Sequence, residues 1–147
     1  LGDYFSAIRR CGRMLPAASD REFLAEPGRA LCAGGLSTVV RVLLRNRDRL
    51  YINDGMYGAF WELRFDGHKQ HPVTVYRQGR QWRGTPRPFT VFGPTCDATD
   101  RLPEPIDLPG DIAVGDHIEF GATGAYSLSG RTDFNGFYSS DIVTIGS

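Results

Sequence analysis

Three segments of this 147-residue sequence set reactive or charged side chains where a turn can present them. In Glu26-Pro27-Gly28-Arg29 a carboxylate and a guanidinium flank a Pro-Gly pair that cannot continue regular structure. The preceding Glu22-Phe23-Leu24-Ala25 reads as a short strand, and strand ends are where parallel α/β folds gather ligand groups. An ordinary surface turn accounts for the same four residues. The second segment, Gly93-Pro94-Thr95-Cys96-Asp97-Ala98-Thr99-Asp100, holds a cysteine with acids close behind it. Nearby negative charge opposes a thiolate, so Cys96 is a poor nucleophile and on its own reads as a buried structural thiol. The third, Gly124-Ala125-Tyr126 followed by Phe134-Asn135-Gly136-Phe137, reads by itself as a strand and a hairpin turn. His68-x-x-His71 has a metal-like spacing, but it lies on a polar loop without a cysteine or acid ligand set, so no metal site is expected. Lys69, the only lysine, sits in the turn from Asp66 to His71 with no apolar pocket to lower its pKa, and reads as a solvated side chain.

Two kinds of element must position these groups. Tyr4, Phe5, Ile8, Cys11 and Leu15 recur at three- and four-residue steps, which predicts an amphipathic helix over residues 3 to 15, ended by Pro16. That helix and the strand after it make half of a βαβ repeat without partner strands, so residues 1 to 30 read as the tail of something larger. From Ser37 the texture is β-rich. Val39 to Leu44, the turn Asn46-Arg47-Asp48 and Leu50-Tyr51-Ile52 predict a hairpin. Further strands are predicted at Ala59 to Phe65, Val73 to Gln78, Phe89 to Phe92, His117 to Phe120, Ala125 to Ser129 and Ile142 to Ile145. Short strands between Gly, Pro and Asp clusters argue a mainly β domain, a sandwich or a barrel.

A hydrophobic fraction of 41% in a chain of this length supports one ordinary core. Seventeen basic and seventeen acidic side chains cancel, which removes the electrostatic argument for nucleic acid or an anionic membrane as partner. Cys11, Cys32 and Cys96 are odd in number with no C-x-x-C spacing, so neither a disulfide framework nor a zinc site is expected, and a reducing cytoplasm fits. No apolar run approaches the roughly 20 residues of a membrane span. A first residue of Leu rather than Met suggests a processed or cut N-terminus.

Taken in series, five segments resemble one family in the same order and at compatible spacing: Glu26-Pro27-Gly28-Arg29, Asn53-Asp54-Gly55-Met56-Tyr57-Gly58-Ala59-Phe60, Gly93-Pro94-Thr95-Cys96-Asp97, Gly124-Ala125-Tyr126 and Phe134-Asn135-Gly136-Phe137. The chain resembles the C-terminal region of the fold-type-III pyridoxal-phosphate decarboxylases acting on ornithine, lysine and diaminopimelate, and is most like the ornithine enzymes. The resemblance implies residues 1–36 as the end of a cofactor-binding (β/α)8 barrel and residues 37–147 as a C-terminal β-domain of the alanine-racemase/ornithine-decarboxylase type. It implies pyridoxal phosphate as cofactor, a small amino-acid substrate, and a homodimer whose active sites are shared across the interface.

By position in the family, Glu26 pairs with the pyridine nitrogen, Arg29 and Tyr126 hold the cofactor phosphate, and Cys96 returns a proton to the reacting carbon from the neighbouring subunit. A neutral thiol suits that task, and acidic neighbours then cease to be a puzzle. Asp66 and Asp97 match positions that receive the distal ammonium of a diamine-forming substrate, with Tyr57 among the substrate-binding residues. Phe65 stands where ornithine enzymes commonly have Tyr, and Asp97 where diaminopimelate enzymes usually have Glu, so ornithine and lysine both remain open. The family's cofactor-bearing lysine, stacking histidine and glycine-rich phosphate loop belong to barrel elements this sequence lacks, so the chain alone is expected to be inactive. The rival reading is a non-catalytic β-domain that binds or regulates a partner. Alanine racemase shares the β-domain but lacks the Cys96-Asp97 motif.

Overall fold

The computed structural model describes residues 2–14, 24, 26–65 and 71–146. Among these, seven strands form one sheet: β1 (Thr38–Asn46), β2 (Arg49–Ile52), β3 (Val73–Arg77), β4 (Arg80–Trp82), β5 (Pro86–Phe92), β6 (Ile106–Pro109) and β7 (His117–Phe120). Their order is β4-β3-β7-β1-β2-β5-β6. The β2–β5 pair is parallel and the others are antiparallel.

Two bent strands curl this sheet into a nearly closed barrel. β1 pairs through Thr38 to Arg41 with β7 and from Val42 onward with β2, and its register slips between Val42 and Leu44. Such an irregularity adds local twist. β5 likewise pairs through Pro86 to Phe89 with β6 and through Thr90 to Phe92 with β2. Pro86 and Pro88 thus fall where β5 meets only the edge strand, so their missing N–H groups take nothing from the β2 ladder. Gly110 N–H donates to the Thr85 carbonyl at 2.9 Å and draws the segments after β4 and β6 together.

Alternation along the strands fills the barrel. Val40 and Val42 of β1, Leu50 and Ile52 of β2, Phe89 and Val91 of β5, and Ile118 and Phe120 of β7 are buried in one cluster. Phe60 enters from outside the strands and meets the Phe120 ring edge-on, 4.7 Å between centroids. Each such side chain contributes about 1.5–3 kcal/mol through burial. Asp116, immediately before β7, is buried against this frame and pairs with Arg77 of β3. Burial pushes the Asp116 carboxyl up, but hydrogen bonds from Arg77 at 2.9 and 2.8 Å and from Ala113 N–H at 2.8 Å outweigh it and hold the group below the ordinary carboxylate value.

The expected helix forms as α1 (Gly2–Met14). A short α2 (Arg29–Cys32) and a 3-10 turn, Ala33–Gly35, lead into β1. Of the strand expected at residues 22 to 25, only Leu24 is described, and it is in no regular element. Three other expected strands are not strands. Ala59 to Phe65 is a turn running into the 3-10 turn Trp61–Arg64, because Phe60 and Leu63, three apart, both point into the core. Ala125 to Ser129 is a turn, with the Ser127 hydroxyl on the Thr123 carbonyl and Tyr126 at a left-handed φ of 68°. Ile142 to Ile145 has no partner strand, and Ile145 is 91% exposed. β4 and β6 escaped the sequence reading; β4 is the return arm of a hairpin whose loop residues, Gln78 and Gly79, have φ of 50° and 75°. No helix among the described residues is long and apolar enough to cross a membrane.

Candidate active site

The 3-10 turn Trp61–Arg64 organises the residues that the sequence singles out. It is set by the segment before it, where Asp54 accepts the Gly55 N–H at 2.7 Å and the Ala59 N–H at 3.2 Å. Burial raises the Asp54 carboxyl above its usual value despite those two bonds. A Cβ at Gly58 would collide with the same carboxylate, so the tight turn requires glycine there.

One face of the 3-10 turn holds a cationic group. Glu62, 8% exposed, faces Arg29 with Nη2–Oε2 at 2.5 Å and Nη1–Oε1 at 3.4 Å. The Arg29 guanidinium lies over the Tyr126 ring, 5.3 Å from its centroid. Trp61 Nε1 donates to the Tyr126 carbonyl at 2.6 Å, and a Cβ on Gly28 would sit 3.5 Å from the Tyr126 hydroxyl. A guanidinium and a phenol hydroxyl on one surface make a donor set suited to a phosphate monoester. These residues therefore fit the phosphate end of pyridoxal phosphate. Glu26 is exposed on the same turn as Gly28 and Arg29.

The other end of the 3-10 turn serves the cysteine loop. Arg64 lies 4.3 Å over the Tyr57 ring, and its Nε donates to the Met56 carbonyl at 3.3 Å. Tyr57 stacks on Phe134, 4.3 Å between centroids, and its hydroxyl is 3.3 Å from Thr99 Oγ1. Asp97 accepts both the Thr99 hydroxyl and the Thr99 N–H at 2.7 Å. Those two bonds, with smaller help from the Tyr57 hydroxyl and the Arg64 charge, hold Asp97 below the ordinary carboxylate value. Cys96 stands next to it, exposed, at a left-handed φ of 56°. The thiol is therefore not the buried structural group that the sequence by itself suggests. Asn135 Nδ2 donates to the Thr95 carbonyl at 2.9 Å, which ties the Phe134–Phe137 segment to the cysteine loop.

Cys96, Asp97 and Tyr57 are thus brought together, as are Arg29 and Tyr126. Asp66, Lys69 and His68 lie outside the described residues. Among those described, no group of three or more His, Cys, Asp or Glu side chains suits a metal ion. Glu62 and Arg64 are not singled out by the sequence, although two charges inside the otherwise apolar run from Ala59 to Phe65 are a visible anomaly, and Asp100 is seen there only as an acid near Cys96 and not as a support. A cleft of about 300 Å3 beside His71, walled by Val73, Leu102, Ile106 and Phe120, is lined by none of the residues assigned to the site.

Comparison with known proteins is consistent across sequence and structure. Residues 33–124 match the model of the pyridoxal-dependent decarboxylase C-terminal sheet domain. Decarboxylase flvG of Aspergillus flavus is 36% identical over 91% of this chain and 35% of its own length. Antizyme inhibitor 2 of Xenopus laevis is 32% identical over 86% of this chain and 31% of its own. The crystal structure of a lysine/ornithine decarboxylase from Vibrio vulnificus, complexed with cadaverine, superimposes with a TM-score of 0.72 at 33% identity, covering 95% of this chain and 37% of that one. The chain thus spans about a third of the relatives it matches. By its sheet, its paired motifs and these matches, the chain belongs to the pyridoxal-dependent decarboxylase family, of which it carries the C-terminal sheet domain.

Proposed function

We propose that this chain is the C-terminal part of a cytoplasmic pyridoxal-phosphate decarboxylase that converts ornithine or lysine to the diamine, as polyamine synthesis requires. The observation that carries the reading is Arg29 poised over Tyr126, with Gly28 beneath the phenol hydroxyl. Residues 1–36 are then the end of the cofactor-binding barrel and residues 37–147 the β-domain. When bound, pyridoxal phosphate supplies a ring that accepts the electron pair left as the substrate carboxylate departs as CO2. Arg29 and the Tyr126 hydroxyl hold the phosphate. Glu26 keeps the ring nitrogen protonated. The Cys96 thiol delivers a proton to the substrate α-carbon in place of the lost carboxylate. Asp66 and Asp97 receive the distal ammonium and Tyr57 contributes to the substrate site, with Cys96 and Asp97 serving the partner's site within a two-fold dimer.

The test is CO2 release by the full-length protein, loaded with pyridoxal phosphate, from ornithine, lysine, arginine and diaminopimelate. Ornithine or lysine should lead, and Asp66→Ala and Asp97→Ala should each lower efficiency about ten- to a hundredfold through loss of a charge-assisted contact. The 147-residue chain alone, with Lys69 its only lysine, is expected to release none. A second reading, a regulatory domain without catalysis, draws support from the similarity to antizyme inhibitor 2. Absence of CO2 from every substrate, with cofactor bound, would favour it.

A further inference from the structure

Glu62 meets Arg29 from within the fold. Its side chain is only 9% exposed, whereas that of Arg29 is 40% exposed. His71 Nε2 lies 4.0 Å from Glu62 Oε1, and His71 Nδ1 lies 3.0 Å from the Gly121 carbonyl, so the carboxylate is backed by a histidine that is itself held. Trp61, one residue earlier on the same 3-10 turn, fixes the Tyr126 backbone through its indole N–H. A single turn of chain therefore anchors both the carboxylate that orients the guanidinium and the backbone that carries the phenol.

An arginine on a surface samples many rotamers, and an anion that recruits it must order it. A guanidinium ordered in advance binds the same anion more tightly, and its five N–H donors allow it to bridge two anions. We propose that Glu62 is a positioning residue for phosphate binding: it holds the Arg29 guanidinium over the Tyr126 ring so that a phosphate monoester meets an ordered cation beside the phenol hydroxyl. The proposal rests on the reading of Arg29 as the cofactor's phosphate ligand. In this role Glu62 acts on the phosphate through Arg29.

The experiment compares binding of pyridoxal 5′-phosphate with that of pyridoxal, which lacks the phosphate, to the full-length protein. Equilibrium dialysis is run on wild type, Glu62→Gln, Glu62→Asp, Arg29→Ala and the Glu62→Gln/Arg29→Ala double variant. Far-ultraviolet circular dichroism and melting temperature report the fold of each. Glu62→Gln should weaken pyridoxal 5′-phosphate about tenfold and leave pyridoxal unchanged. The double variant should lose no more than Arg29→Ala alone, since the residue acts through that arginine. Glu62→Asp, which keeps the charge, should recover part of the affinity, and it decides the matter if the Gln variant does not fold. Equal loss for both ligands, or unchanged or tighter phosphate binding, would overturn the proposal while leaving Arg29 in place. Arg29→Ala without a phosphate-specific loss would overturn the assignment of Arg29 and the proposal with it.

Discussion

The Asp100 carboxylate accepts the backbone N–H of Met56 at 2.7 Å, across 44 residues of sequence. Its other oxygen takes the Thr95 N–H at 3.0 Å and the Thr95 hydroxyl at 2.6 Å. Gly55 and Gly93 close over it, and a Cβ on either would collide with the carboxylate. The segment that carries Tyr57 and the loop that carries Cys96 therefore share one buried support, 1% exposed.

Removing that support strands three donors in the interior. Asp100→Ala should cost about 3–5 kcal/mol of stability, and Asp100→Asn less, because an amide keeps one acceptor. Urea unfolding of both variants measures this. A midpoint unchanged in Asp100→Ala would show that the two loops are held by other contacts.

The depressed titration of Asp97 has a definite sign. Its folded carboxyl is held below the unfolded value of about 3.9, so its contribution to stability is present above that value and is lost as pH falls through the folded one. The largest cause is the Thr99 hydroxyl, so Thr99→Val should raise the Asp97 titration toward the unfolded value and shift the acid loss to higher pH. Carbon-13 titration of the Asp97 carboxyl reads it directly. No movement on Thr99→Val would assign the shift to another neighbour.

Arg77, partly exposed at the end of β3, is the main partner of buried Asp116 and stacks 4.1 Å over Trp82. Arg77→Ala should be clearly destabilising near neutral pH, where burial makes an uncompensated Asp116 carboxylate costly. The deficit should shrink as pH falls and Asp116 takes a proton, and Asp116→Asn in the same background should recover part of it. Thermal melts across pH test both statements, and a pH-independent deficit would point to lost packing on Trp82 instead.

The proposed sharing of sites between subunits is checked by counting. If the proposed function holds, full-length Cys96→Ala and Arg29→Ala are each expected to be nearly inactive alone, and the two are mixed and allowed to exchange. If the two groups meet across the interface, each mixed dimer has one site with both defects and one with neither, and random mixing restores about a quarter of wild-type activity. Exchange proved by a tag without recovery would exclude the shared arrangement.

The strands with clear alternation and turn chemistry were legible in the sequence. The β1–β2 hairpin and β7 stand where Val39 to Ile52 and His117 to Phe120 predict them. The order of those strands was not legible, because the bends in β1 and β5 that let each serve two neighbours depend on pairing between distant segments. Ala59 to Phe65 misled because an apolar run of that length does not distinguish a strand from a helical turn. Cys96, Asp97 and Tyr57, and likewise Arg29 and Tyr126, are singled out by their motifs and lie together in the fold. Glu62 meets a residue 33 positions away, Arg64 one 7 away, and Asp100 one 44 away as well as nearby Thr95; the charges themselves are visible in the sequence, but no local pattern names the distant partners.

Cys96, Tyr126 and Asn135 all hold left-handed backbone, with φ of 56°, 68° and 55°. For a residue with a Cβ that conformation costs about 1–2 kcal/mol, least for asparagine. Glycine would relieve the cost at each position and delete the thiol, the phenol or the amide along with it. A search for thermostable variants would therefore drift toward glycine at these three places and discard the side chains that give the surface its chemistry. At these three positions, relief of backbone strain and retention of the thiol, the phenol and the amide pull in opposite directions.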